Sequence, residues 1–119
     1  MNFWRQGVIR PALDGDLKAA IQEQIAALER DPSNPRTYFA LGSLRYLQGD
    51  KNAAVTLFEQ AIAIDPQYAA PHVSLGRIDA VEGRYEAAWR HAHEAAGLGD
   101  RSLLEQMERY PNAGPKVRR

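Results

Sequence analysis

The fold is decided by residues 34–66, which read NPRTYFALGSLRYLQGDKNAAVTLFEQAIAIDP. Asn34 followed by Pro35 is typical of a helix start, because an asparagine side chain caps free backbone N–H groups and proline suits the first helical position. Gly49 indicates where this helix stops. The opening of the stretch therefore predicts a helix of about 14 residues that runs from Pro35 to Gln48.

The second half of the stretch predicts another helix of similar length. The stop at Gly49 is followed at once by a restart, and the second helix covers residues 51–64. It ends before Pro66, because the residue that precedes a proline is pushed out of the α region of backbone conformation. The whole stretch is therefore predicted to form a helical hairpin, two helices joined by a tight turn.

The same arrangement recurs along the chain at one constant offset, the separation between Leu41 and Leu75. The other pairs that share this repeat offset are Gly42 and Gly76, Gly49 and Gly83, Ala54 and Ala88, and Ala61 and Ala95. A first copy, degenerate at its start, is marked at the same offset by Gly15, Ala20, Ala27 and Pro32. Small shared residues have a physical reason, because helices approach to about 8–10 Å only where small side chains face each other. We therefore expect three copies, at about residues 1–34, 35–68 and 69–100.

The third copy repeats the arrangement of the second. Its helices are expected at residues 69–81 and 85–96, on either side of Gly83. The glycines between the predicted helices are spaced as helix ends, not as a phosphate-binding loop.

The last residues of the chain have no periodicity, so 111–119 are expected to be a flexible tail. Residues 1–110 are therefore predicted to form a single domain.

A helix that covers the last hairpin is predicted at residues 101–109. A stack of hairpins exposes the apolar face of its last member unless another segment covers that face. Ser102 and Glu105 have the spacing of a capping box, which marks the start of a helix. The apolar residues of this capping helix are expected to dock on the second helix of the third copy, Leu103, Leu104 and Met107 against Ala88, Trp89 and Ala92.

The repeat resembles the tetratricopeptide repeat (TPR), whose unit is a helix-turn-helix of about 34 residues. The residues that carry the resemblance are Tyr38, Leu41, Gly42, Gly49, Ala54, Phe58, Ala61 and Pro66. The third copy departs from the family's pattern with His72, Ala92 and Gly99-Asp100. The resemblance implies an all-α, right-handed α-solenoid of about three hairpins plus the capping helix. It also implies a non-catalytic module for protein–protein interaction, whose concave surface, lined by first helices, holds a peptide or helix of a partner.

Composition narrows the class of protein. The 119 residues carry 15 Lys plus Arg against 15 Asp plus Glu, whereas a nucleic-acid binder has a strongly basic surface. The absence of cysteine excludes disulfides, thiol catalysis and thiolate metal sites. No stretch approaches the roughly 20 apolar residues of a transmembrane helix, and the N-terminus lacks the features of a secretory signal. We expect a cytoplasmic protein with no cofactor, no nucleic-acid partner and no membrane partner.

Candidate binding residues lie on the face of the first helices that is turned away from the repeat-signature residues. In the second copy this face carries residues at spacings of 3, 4 and 3, namely Arg36, Phe39, Ser43 and Tyr46. In the third copy it carries Ala70, Val73, Arg77 and Ala80. Aromatic residues and arginines are typical of binding surfaces, so this face is predicted to bind a partner with acidic and apolar side chains. The alternative is that Phe39 and Tyr46 only pack against neighbouring helices.

Other interpretations of the surface stay open. The chain could be a self-assembling scaffold that oligomerises through the exposed ends of the array, or through Trp4 and its neighbours. The N-terminal apolar residues could also anchor at a membrane interface, although completion of the first repeat explains them as well.

Some family members clamp a partner's terminal carboxylates with lysines and asparagines. That clamp is not expected here, because those positions hold Phe39, Ser43, Val73 and Ser74.

The remaining polar residues indicate structural roles rather than metal binding or catalysis. Arg45 and Asp79 are separated by the repeat offset and stand where the family commonly has a buried tyrosine, so an ion pair between repeats is predicted. The alternative is that the two residues form a functional polar site. His91 and His93 are two apart in the sequence and point about 200° apart on a helix. No acidic residue frames His72 in the sequence, so no metal site is expected. No nucleophile-elbow signature surrounds a serine, so no catalytic residue is expected.

Overall fold

A computed structural model describes residues 9–109 of the chain, with side chains from residue 15 onward. Six α-helices follow one another, and these residues form no strand: α1 Ile9–Arg30, α2 Pro35–Leu47, α3 Lys51–Ile64, α4 Ala69–Val81, α5 Tyr85–Gly97 and α6 Ser102–Arg109. Trp4 and its neighbours, and the tail predicted at residues 111–119, lie outside the described residues. The architecture is the predicted all-α helical repeat solenoid.

The helices of the second and third copies begin and end where local signals predict. Asn34 Oδ1 accepts a hydrogen bond from the backbone N of Arg36 at 3.0 Å, which caps α2. Asp50 Oδ1 accepts one from the backbone N of Ala53 at 3.1 Å, which caps α3. The turns before α3 and α5 contain Gly49 with φ of 93° and Gly83 with φ of 81°, a left-handed conformation that favours glycine. The two hairpins, α2–α3 and α4–α5, are confirmed.

The first copy differs from the prediction. Gly15 stands at the repeat offset from Gly49, but it lies in the interior of the continuous 22-residue helix α1 and not in a turn. A helix tolerates an isolated glycine at a cost of about 1 kcal/mol. Ile21 on the same helix is buried. Within residues 9–109, the first copy therefore contributes one helix, which packs on α2.

Two buried clusters hold the hairpins together. One lies between α3 and α4 and contains Ala54, Phe58, Leu75 and Ile78. The other lies among α4, α5 and α6 and contains Val73, Ala88, Trp89, Ala92, Ala95, Leu103, Leu104 and Met107. Small residues allow this approach, as predicted: a Cβ added to Gly42 would lie 2.8 Å from Cε1 of Phe58.

Helix α6 covers the last hairpin, but a different residue from the predicted one starts it. Leu103, Leu104 and Met107 are buried against α5, as expected. The predicted capping box is wrong, because Ser102 donates its hydroxyl to Asp100 Oδ1 at 2.6 Å instead of pairing with Glu105. The same oxygen accepts the backbone N–H of Ser102 at 3.0 Å. These hydrogen bonds lower the pKa of Asp100, so their contribution to stability is lost as the pH falls through that lowered pKa.

None of the helices between residues 9 and 109 is both long enough and apolar enough to cross a lipid bilayer.

Candidate functional site

A groove of about 460 Å³ opens between α2 and α4, over α3. Its lining residues are Ser43, Tyr46 and Leu47 of α2, Phe58 of α3, and Ser74, Arg77, Ile78 and Val81 of α4. The floor is fixed, because Phe58 and Ile78 belong to the buried cluster between α3 and α4. The groove is therefore shaped by the packing of one repeat on the next.

The rim of this groove is apolar and exposed. Leu47 is 73% exposed, Val81 79% and Tyr46 42%, although all three carry large apolar surfaces. Single exposed apolar residues are ordinary, but several gathered around one groove are typical of a binding surface. The rim can therefore bury apolar side chains of another molecule.

Arg77 brings a positive charge to the same groove. The residue is exposed, and its guanidinium makes no ion pair or hydrogen bond with residues 15–109. Its charge helps to lower the pKa of Asp100, but less than the hydrogen bonds from Ser102 do. The guanidinium therefore remains available for a carboxylate from outside.

Three of the predicted groove residues lie together in the groove, namely Ser43, Tyr46 and Arg77. Ser43 donates its hydroxyl to the backbone oxygen of Phe39 at 3.0 Å, so this hydroxyl is engaged within α2. Tyr46 and Arg77 thus supply the aromatic ring and the cation that the sequence predicts for this surface.

Arg36 and Phe39 lie outside the groove lining, around the ring of Tyr68. The guanidinium carbon of Arg36 is 5.2 Å from the centre of that ring, within the range of a cation–π interaction. The ring of Phe39 lies 5.6 Å from that of Tyr68 and 5.6 Å from that of Phe58. Phe39 therefore follows the alternative stated above, because its side chain packs against neighbouring helices.

Val73 and Ala80 do not lie on an open groove. Val73 is buried in the cluster formed by α4, α5 and α6, and Ala80 is half-buried against the same cluster. The prediction that Val73 lines an open surface is wrong, because α6 packs against α4 and α5 and covers that side of the helix.

Leu47, Val81 and Ser74 also line the groove, although they were not among the predicted residues. A signal was present, because Leu47 and Val81 are separated by the repeat offset and directly follow Tyr46 and Ala80. Both are apolar residues at the last position of a helix. Apolar residues in such places have few neighbours from their own hairpin and stay exposed.

The predicted ion pair between Arg45 and Asp79 does not form. Arg45 donates to Oε1 of Gln48 at 3.0 Å, while Asp79 accepts from Nε of Arg84 at 2.9 Å. Each residue finds a partner in its own hairpin, so the prediction of a bond between repeats is wrong.

A second polar cluster lies away from the groove, between α4 and α5. His72 of α4 faces His91 and Glu94 of α5, and a metal-ligating atom from each lies within 4.8 Å of the others. The expectation that no acidic residue frames His72 is wrong, because Glu94 reaches it from the next helix. Burial lowers the pKa of His91, against the opposing charges of Asp79 and Glu94.

Comparison with known families agrees with the geometry. A family model described as the TPR repeat matches residues 42–80, which run from the middle of α2 through α3 and into α4. No curated protein matches the chain. Repeats of this family generally mediate protein–protein interactions and are generally non-catalytic. The matched segment, together with the two hairpins and the signature residues at their crossings, supports a resemblance of this part of the chain to the tetratricopeptide repeat family.

Proposed function

We propose that this protein binds a short segment of a partner protein in the groove between α2 and α4. The segment presents a large apolar side chain next to a carboxylate. The observation that carries the proposal is the gathering of an apolar rim and an exposed arginine in one groove, formed by helices of a family that generally mediates protein–protein interactions.

The apolar side chain of the partner rests on the floor and rim of the groove. Phe58 and Ile78 are held by the buried cluster beneath them, so binding need not order them. Leu47 and Val81 are mostly exposed in the free protein and would lose contact with water. Burial of such surface contributes about 25 cal/mol per Å² before the costs of association are subtracted.

The carboxylate of the partner pairs with Arg77. A guanidinium offers two parallel N–H donors to a carboxylate, and this geometry orients the partner as well as attracting it. Because Arg77 is exposed, salt screens its attraction for the carboxylate. Such an attraction acts mainly on the rate of association and on the choice of partner. Apolar contact is therefore expected to give most of the affinity, and Arg77 most of the selectivity.

A peptide-display selection tests this chemistry directly. Peptides selected on the wild-type protein are expected to combine a large apolar residue with an Asp or Glu nearby. Their affinity should fall at least 10-fold for Arg77→Glu, which corresponds to about 1.4 kcal/mol, because attraction becomes repulsion. The measurement is a fluorescence-polarisation titration of each peptide at two salt concentrations.

The matched control is Arg90→Glu, a change of the same charge on the exposed surface of α5, outside the groove. This variant should bind the selected peptides as the wild type does. Equal affinity of wild type and Arg77→Glu, or peptides without acidic residues, would contradict the proposal.

Sedimentation of the wild type decides between a foreign partner and a second copy. Dimers that Val81→Asp dissociates would favour the self-assembling scaffold.

A further inference from the structure

The cluster of His72, His91 and Glu94 has the shape of a metal site. His91 and Glu94 are three apart in the sequence of α5 and so share one face of that helix, and His72 comes from α4. Oε1 of Glu94 lies 3.2 Å from Nδ1 of His72 and 3.7 Å from Nδ1 of His91. Tetrahedral ligands at the usual zinc distances of about 2.0–2.1 Å stand about 3.3 Å apart. The two distances from Glu94 are therefore close to those between ligands of a bound ion, and all three donor atoms lie within 4.8 Å of one another.

The two imidazoles point unsatisfied nitrogens into this cluster. Nδ1 of His72 and Nδ1 of His91 are both buried and make no hydrogen bond within the described part of the chain. The His72 side chain is only 9% exposed, and its Nδ1 is not aligned for a hydrogen bond with Glu94 despite the short distance. A buried polar atom without a partner costs about 1–3 kcal/mol. A metal ion would satisfy both nitrogens at once.

A further carboxylate is placed to orient one of the rings. Nε2 of His91 lies 3.7 Å from Oδ2 of Asp79, and Asp79 is held by Arg84 through a 2.8 Å ion pair. A proton on Nε2 of His91 would face Asp79, and this tautomer would leave the lone pair of Nδ1 on the side of Glu94 and His72. This arrangement of carboxylate, histidine and metal is the usual support for a histidine ligand.

We infer that His72, His91 and Glu94 bind one Zn²⁺ ion, or a divalent transition-metal ion of the same class, between α4 and α5. Imidazole nitrogens with a single carboxylate suit such ions, whereas Mg²⁺ and Ca²⁺ prefer oxygen ligands. The Glu94 side chain is 59% exposed, so the site opens to solvent on one side and water can complete the coordination. The ion would link α4 to α5, so its binding would stabilise the folded state.

Calorimetric titration of the untagged, metal-free full chain with ZnCl₂ tests the site. The wild type is expected to bind one Zn²⁺ per chain and to melt at a higher temperature in its presence, while MgCl₂ changes neither result. Glu94→Gln and His91→Gln should each weaken Zn²⁺ binding at least 10-fold, because each removes a ligand. The control is His93→Gln, an exposed histidine on the same helix but outside the cluster, which should bind Zn²⁺ as the wild type does.

Glu94→Gln is the deciding variant, because the residue is exposed and its replacement leaves the buried core intact. Circular dichroism verifies that each variant is folded before titration. Three results would overturn the inference: a wild type that does not bind Zn²⁺, variants Glu94→Gln and His91→Gln that bind as tightly as His93→Gln, or one ion for every two chains.

Discussion

Replacement of Gly76 by leucine is expected to lower the free energy of unfolding by about 1–3 kcal/mol. Gly76 lies on α4 where α5 and α6 pack against it, and an added Cβ would overlap Cδ2 of Leu103 and stand 3.0 Å from Cβ of His91. Leu103 is itself buried and cannot move aside freely. The extra side chain must therefore push the helices apart. Urea unfolding followed by circular dichroism measures the loss.

Gly15→Leu is the matched control for this substitution. Gly15 is also inside a helix, but a Cβ added there meets no atom of the described residues within 4 Å. The same chemical change should stabilise α1 by up to about 1 kcal/mol, because glycine is a poor helix former. Changes of opposite sign in the free energy of unfolding of the two variants would support close packing of α4 against α5 and α6. Equal unfolding free energies would refute it.

Replacement of Leu103 by alanine is expected to cost about 2–5 kcal/mol, the range for truncation of a large buried side chain. Leu103 is 2% exposed and packs in the cluster that contains Val73 and Trp89. The loss would leave a cavity under α6 and weaken the cover of the last hairpin. Thermal and urea unfolding of the variant measure the effect.

Gln106→Ala, on the exposed side of the same helix, is the control and should change stability by less than about 0.5 kcal/mol. A capping role for α6 requires a clear difference between the two variants. If Leu103→Ala unfolds like Gln106→Ala, helix α6 does not stabilise the stack.

The helix ends were predictable from the sequence because the signals that set them are local. Helices α3 and α4 occupy the predicted ranges, residues 51–64 and 69–81. Asp50 caps its own helix, and Gly83 adopts the left-handed turn conformation that glycine favours. Gly15 does not end its helix, because a single glycine permits a turn without requiring one. Whether a helix continues through it depends on its neighbours in space.

The groove between α2 and α4 was predictable only in part, because helical spacing identifies a face but not what covers it. Tyr46 and Arg77 share the groove, as the spacing predicts, whereas Val73 on the same face is buried by α6. The cluster around His72 was missed for the same reason. His91 and Glu94 have helical spacing in the sequence, but only the packing of α4 on α5 brings His72 to them.

The most direct test of the proposed function is to map a bound peptide on the protein. A selected peptide with an apolar and an acidic residue is titrated into ¹⁵N-labelled protein, and the amide resonances are followed by NMR. The largest shifts are expected at residues 43–47 of α2 and 74–81 of α4, on either side of the groove. Saturable shifts confined to α5 and α6, with the groove unchanged, would contradict it.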